Sequence, residues 1–381
     1  MRPMLKVNTM NLKHSKSVLL GTSALVCFAL SAPVMARDIV ITSGTTTNNS
    51  GGSLNGNDTA NVTGTLDTGT TDSEHGILAS DDDNKITVSN EGHIITGGDD
   101  ASGIYHTGDT NTNTVSGSIT TTGDDSYGIH NKGDTNTTTV SGSIATGNVS
   151  SNGGRNSYGI FNEGNDNTTT LSGDITTLNW SGYGIYNKGN KNTTIMSGTF
   201  TASGTWDSSN YGIRNDGNEN ITTMSGIIST VGSSSYGIYN KGDSNTTTVS
   251  GSITTAGSSA RGIYNKGNNN TTTVSGSIET TGEKAHGIYN FGDNNKTTVS
   301  GTVKATGTKS AALYSEGGDG NSFTLNEGAT IIGDILASDA TNNAADATNS
   351  KLIFNLGAST SYAYSVSGKG EGTGAGQWDF S

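Results

Sequence analysis

Tyr236-Gly-Ile-Tyr-Asn-Lys-Gly-Asp-Ser-Asn-Thr-Thr-Thr-Val-Ser-Gly-Ser-Ile-Thr-Thr255 is one copy of a segment that recurs along most of this chain. A Gly-Ile pair marks each copy, beginning at Gly76, Gly103, Gly128, Gly159, Gly184, Gly212, Gly237, Gly262 and Gly287, with Ala312-Leu313 as a degenerate tenth. Successive marks lie 27, 25, 31, 25, 28, 25, 25, 25 and 25 residues apart. A period in this range belongs to stacked supersecondary units, each too small to bury a core alone.

Helix is excluded by content, because Gly, Asn, Thr and Ser dominate and no run has 3.6-residue apolar periodicity. Short alternating pieces bounded by Gly, Asn and Asp read as strands and turns. One rung therefore runs Tyr236 to Asn240 as strand, Lys241 to Asn245 as turn and Thr246 to Val249 as strand. A corner at Ser250-Gly251 leads to Ser252 to Thr255, then to a loop of variable length. Spacing differs between copies mainly in that loop, as at Gly147 to Asn156 and Ser203 to Asn210. Ile129, Val140 and Ile144 line up as one inward triplet, and Ile238, Val249 and Ile253, or Ile263, Val274 and Ile278, as others. Three aliphatic side chains cannot offset the entropy of ordering a whole rung. Stability has to come from rung stacked on rung, which selects an all-β parallel β-helix of about ten rungs, a rod roughly 50 Å long at about 4.8 Å per rung.

Asn131, Asn162, Asn187, Asn215, Asn240, Asn265 and Asn290 occupy one repeat position. They are expected to form a structural ladder, each in a tight turn and hydrogen-bonded to its own rung and its neighbours. An aromatic column precedes them: Tyr105, His130, Phe161, Tyr186, Tyr239, Tyr264, Tyr289 and Tyr314, interrupted by Arg214. Alternation with Ile and Asn turns it outward, where it is either a self-stacking stabiliser or a binding face carried by Tyr186, Tyr239, Tyr264 and Tyr289. A second column, Tyr127, Tyr158, Tyr183, Tyr211 and Tyr236, stands before the Gly. Simple alternation cannot turn both columns outward, so a bend at the Gly is required.

The Thr-x-Thr pairs, such as Thr137 with Thr139 and Thr271 with Thr273, present hydroxyls and methyls in the manner of an ice-binding solenoid, but Lys85, Ile195, Ile221 and Lys296 break the array. Acid clusters at Asp81 to Asp83, Asp99-Asp100 and Asp124-Asp125 sit in variable turns, with no recurrent Arg, Lys or His beside them. They read as solvated turns rather than as the paired carboxylates of a polysaccharide-cleaving β-helix. His75, His93, His106, His130 and His286 occupy slots that other residues fill elsewhere, which argues against a metal site. No Gly-x-Ser-x-Gly, Walker lysine motif, His-Glu-x-x-His or calcium nonapeptide occurs. Catalytic, metal and cofactor-binding residues are therefore expected to be absent.

At the N-terminus, Arg2, Lys6, Lys13 and Lys16 precede an apolar run from Val18 to Leu30 and a small-residue cleavage pattern ending at Ala36. Residues 1–36 read as a secretory signal peptide. Its removal takes four cations from a chain of formal net charge −13, giving about −17, and removes Cys27, Pro3 and Pro33 with them. Such an acidic chain excludes nucleic acid as a partner. Without cysteine or proline it would depend on ladder and core alone. Residues 37–70 read as an N-terminal cap, 71–316 as the β-helix repeats and 317–381 as a closing region of changed pattern, ending at Gln377-Trp-Asp-Phe-Ser381 as though truncated.

The signal peptide, the Gly-Ile-Tyr-Asn and Thr-Val-Ser-Gly-Ser-Ile rungs and the closing Gly333-Asp-Ile335, Leu352-Ile-Phe354 and Tyr362 to Trp378 stretches together resemble the passenger region of a type V autotransporter of Gram-negative bacteria. The resemblance implies a right-handed parallel β-helix, an autochaperone-like closing module, and export through an outer-membrane β-barrel translocator. No series of barrel strands follows the repeats, so the translocator is expected to be lost or supplied in trans. The function implied is that of a non-enzymatic, adhesin-like passenger at the cell surface or outside the cell, or in the periplasm without a barrel. Its partners would be a host surface, matrix or glycan ligand, or other bacteria. The alternatives are a carbohydrate-active β-helix enzyme and an ice-binding solenoid.

Overall fold

A computed structural model of the chain describes residues 17–19, 37–42, 53–147, 156–178, 181–203, 209–338 and 350–355. Most of the expected signal peptide and all of 356–381 lie outside the described residues; Ser17–Leu19 pairs in parallel with Asp38 to Val40. Every described element is a strand, and the strands form a parallel β-solenoid of about 11 turns, about 25 residues apart.

Each turn feeds one strand to each of three sheets, which hold 14, 11 and 12 strands. In the turn quoted above these are Thr246–Val249 in a threonine sheet, Ser252–Ala256 in a serine sheet and Tyr236–Lys241 in an aromatic sheet. Register is strict, with Val249 on Val274, Ile253 on Ile278 and Ile238 on Ile263. The longer spacings leave it intact: Ile129 still pairs with Ile160, and Ile185 with Ile213. Insertions before the aromatic strand are tolerated because they leave the strand pairing untouched. The sheets also continue beyond 71–316, through Ser53–Leu54, Thr59–Val62 and Thr65–Asp67 at one end and Ser322–Asn326, Thr330–Ile332 and Asp334–Ser338 at the other.

Period-two alternation sends six side chains of each regular turn inward, and only half are apolar. Ile238, Val249 and Ile253 are fully buried, and so are Asn240, Thr247 and Thr255 beside them. Asn240 is therefore in a strand and not in a turn, and the same holds for Asn131, Asn162, Asn187, Asn215, Asn265 and Asn290. Stacking makes this possible. Asn240 Nδ2 donates to Asn265 Oδ1 at 2.8 Å and to Thr247 Oγ1 at 2.9 Å, so its buried amide is satisfied by the next turn and by the facing sheet. The same pair of bonds repeats from Asn131 to Asn265, and the run ends at Asn290, which donates to Thr297.

The turns are served by a different asparagine column. Backbone N–H of Asn245 donates to Asn270 Oδ1, and that of Asn270 to Asn295 Oδ1, at 2.8 and 2.9 Å. The residue before each takes left-handed backbone, as at Thr135, Lys191 and Ser244, with φ of 57°, 58° and 59°. At the Ser250-Gly251 corner the chain passes so close to the preceding turn that a Cβ on Gly251 would lie 2.0 Å from Gly226 O, which only glycine allows.

Candidate functional site on the aromatic sheet

A second glycine decides which way the tyrosines point. Tyr183 pairs with Tyr211 and Ile185 with Ile213, and the intervening Gly184 is passed over. A Cβ on Gly184 would lie 2.5 Å from the Phe200 ring in the core, so Gly184 and Ile185 both face inward. Two successive inward positions are the required bend. They put both aromatic columns outside the tube, where the Tyr183 and Tyr186 rings meet edge to face at 5.6 Å and 90°.

Along the axis the rings stack. Tyr158 and Tyr183 lie 4.5 Å apart at 4°, Tyr183 and Tyr211 4.7 Å at 12°, and Tyr211 and Tyr236 4.9 Å at 7°. In the other column Phe161 and Tyr186 lie 4.9 Å apart and Tyr239 and Tyr264 5.0 Å, while Tyr264 and Tyr289, 4.9 Å apart, are tilted by 41°. Arginine takes a ring's place twice. The Arg214 guanidinium lies 4.8 Å over Tyr186 and 5.8 Å from Tyr239, and Arg261 lies 4.5 Å over Tyr264 and 4.2 Å over Tyr289. Such cation–π contacts contribute about 0.5 to 2 kcal/mol each.

This arrangement brings Tyr239, Tyr264 and Tyr289 into one stack and separates Tyr186 from them by Arg214. Tyr186, Tyr239 and Tyr289 are only 9%, 8% and 4% exposed, because each ring's faces are covered by its neighbours. A sugar therefore cannot lie on the faces of Tyr186, Tyr239 or Tyr289, and Tyr264, which is half-buried, carries Arg261 over its ring. Ring edges, hydroxyls and the adjoining charges are what the surface offers. Burial pushes the Tyr264 hydroxyl up to about 12, against the opposing pull of Arg261, so it remains a donor at neutral pH.

The charges stand two residues beyond the column of Phe161, Tyr186, Arg214 and Tyr239. Lys188 Nζ meets Glu163 Oε1 at 2.9 Å, and Asp216 takes Arg214 Nε and Nη2 at 3.0 and 2.6 Å. Asp216 also accepts from the Tyr186 hydroxyl at 3.1 Å, and Glu316 accepts from Tyr289. Glu163, Lys188, Asp216 and Lys241 are successive register partners, so opposite charges alternate along the axis. Sequence reading missed this column and the turn asparagines. The signals were present, as a residue of alternating sign after the ladder Asn and a second Asn before each threonine run.

The histidines are structural in their contacts. His286 Nδ1 accepts the Ala311 N–H at 3.0 Å and His75 Nδ1 the Ser102 N–H at 3.0 Å, which requires both rings neutral at that nitrogen. Burial pushes His286 down to about 3 and His130 to about 4. His106 is wholly buried, bonds Asn113 Oδ1 through Nε2 at 2.7 Å and is also pushed down to about 4 by burial. It holds the ladder slot one turn before Asn131, and Asn113 Nδ2 donates to Asn131 Oδ1 at 3.0 Å.

The acid clusters lie on the corners, where they bond backbone: Asp99 accepts the Asp124 N–H at 2.8 Å and Asp82 the Asp109 N–H at 2.8 Å. Asp125 takes left-handed backbone, with φ 50°. Among the described residues no group of three or more His, Cys, Asp or Glu side chains could hold a metal ion. On the threonine sheet Thr137 and Thr139 face outward and Thr138 inward, and Ile195 and Ile221 stand 44% and 47% exposed in the same outward array. No protein-family model matches the chain, and comparison with curated proteins and with solved structures returned no similar protein.

Proposed function

We propose that this chain is a non-enzymatic, exported passenger of the autotransporter type, which presents the outer columns of its solenoid to a host surface, matrix or glycan. The observation that carries the reading is the division of labour within each turn. Six inward positions are filled mainly by Ile, Val, Asn and Thr, with Leu171, Met196, Phe200 and Met224 as apolar replacements, while the outward positions repeat in register as long columns suited to multivalent contact. The basic, apolar N-terminal segment supports export, and the strand-only solenoid is compatible with passage of an unfolded chain through an outer-membrane barrel. Fold alone does not carry function, so the support comes from those outward columns.

Fractionation of a Gram-negative host expressing the chain with a barrel supplied tests display: surface protease should remove it from intact cells. Beads coated with the purified chain should adhere to epithelial cells or matrix more than beads coated with an acidic control protein. Adhesion equal to the control would overturn the reading. Release of reducing sugar ends from a polysaccharide panel, lost in Asp124→Asn with Asp125→Asn, would favour an enzyme instead.

A further inference from the structure

The alternation of charge along the aromatic sheet stops where Lys241 meets Lys266, whose next partner is the uncharged Phe291. Lys241 and Lys266 are register partners of the same sign, about 4.8 Å apart as neighbouring strands. Like charges directly opposite destabilise a sheet. Neither lysine is neutralised well by the protein. Lys241 reaches Asp216 at 3.7 Å, but that carboxylate is already engaged by Arg214, and Lys266 has no ion pair among the described residues. Both are exposed.

A second, independent departure lies on the same two turns. Arg214 is closed off by both oxygens of Asp216, whereas Arg261 has no carboxylate within ion-pair distance among the described residues. It donates from Nη1 to the Tyr236 hydroxyl at 2.8 Å, and its buried Nε has no partner. Arg261, Tyr264 and Lys266 lie on one strand, Arg261–Lys266, with Lys241 beside them. The hydroxyls of Tyr239 and Tyr264 make no hydrogen bond within the described residues, so two donors stand between the cations. In a chain of net charge −13, this is a local excess of positive charge, flanked by Asp216 on one side and Glu316 on the other.

We propose that Arg261, Lys241, Lys266 and the hydroxyls of Tyr239 and Tyr264 bind a sulfated polysaccharide. The inference rests on the passenger reading and gives it a ligand class. Three cations on two adjacent turns require closely spaced anionic groups, which sulfate esters supply at higher density than a polymer carrying one carboxylate per repeat. Contact is through charge and hydroxyl donors, since the ring faces are already covered. The acidic remainder of the surface repels an anionic chain and confines it to this patch.

Calorimetric titration of the purified chain with heparin oligosaccharides tests the proposal. Saturable binding is expected, weakening as salt is raised. Lys241→Gln with Lys266→Gln should lower affinity about tenfold or more, roughly 1.4 kcal/mol, with an unchanged circular dichroism spectrum. Lys188→Gln, which removes a lysine already paired with Glu163, should leave affinity unchanged. Absence of heparin binding, equal binding of unsulfated hyaluronate, or a double variant that binds as well as the parent would each overturn it. If the double variant loses heparin while coated beads still adhere to cells lacking sulfated glycans, the proposal for this patch stands and adhesion has a further ligand. If beads adhere and heparin never binds, the passenger reading survives and this inference falls.

Discussion

Individual residues in this solenoid are judged by neighbours 25 positions away. Thr135 is β-branched yet sits at φ 57°, with no side-chain hydrogen bond among the described residues to offset the strain. Thr135→Asn, which tolerates left-handed backbone better, should raise stability by about 0.5 to 1 kcal/mol, read as a higher urea midpoint. The buried histidines make the molecule acid-sensitive. His106 folds neutral with its pKa pushed from 6.5 to about 4. Between those values the unfolded chain binds the extra proton, so stability is complete above pH 6.5 and falls as pH drops towards 4. The loss is up to about 3 kcal/mol for this group. His106→Asn, which matches the ladder residue of later turns, should flatten that part of the curve of unfolding midpoint against pH. An unchanged curve would mean that His75, His130 and His286 carry the dependence.

At the scale of the strand, the interior combines a hydrophobic column with a hydrogen-bonded one. Asn240→Ala would leave Asn265 Oδ1 without its donor and weaken Thr247 and Asn215 as well. A cost of about 3 kcal/mol is expected, against almost none for the exposed Thr254→Ala, both read by urea unfolding. The apolar triplet Ile238, Val249 and Ile253 was legible in the sequence because alternation alone determines which side of a strand is buried. Asn240 was read into a turn, since asparagine by itself is a turn former and its place inside depends on an amide one turn away. The tyrosines were legible as columns, with self-stacking as one of two readings and a bend at the Gly as a requirement; that the two columns meet edge to face follows only from the inward turn of both Gly184 and Ile185. The like-charged lysines went unread because charge pairing here runs across turns and shows only when the residues after successive ladder asparagines are set side by side.

For the whole molecule, the turn is the unit of tolerance. Deleting Gly237 to Arg261 joins Tyr236 to Gly262-Ile263 and restores the pattern, so the shortened chain should fold with the same strand spectrum and a modestly lower midpoint. Deleting Thr247 alone should do more harm, because a one-residue slip turns Val249 out of the core. Comparing the two by circular dichroism and urea unfolding checks this; equal effects would contradict it. The interior amides carry one more property. From Asn131 to Asn265 every Nδ2 donates towards the next turn and every Oδ1 accepts from the one before. Their dipoles add head to tail instead of cancelling. The rod thus has an electrical arrow along its axis, positive towards its C-terminal end, and two such rods laid side by side are not equivalent when parallel and when antiparallel.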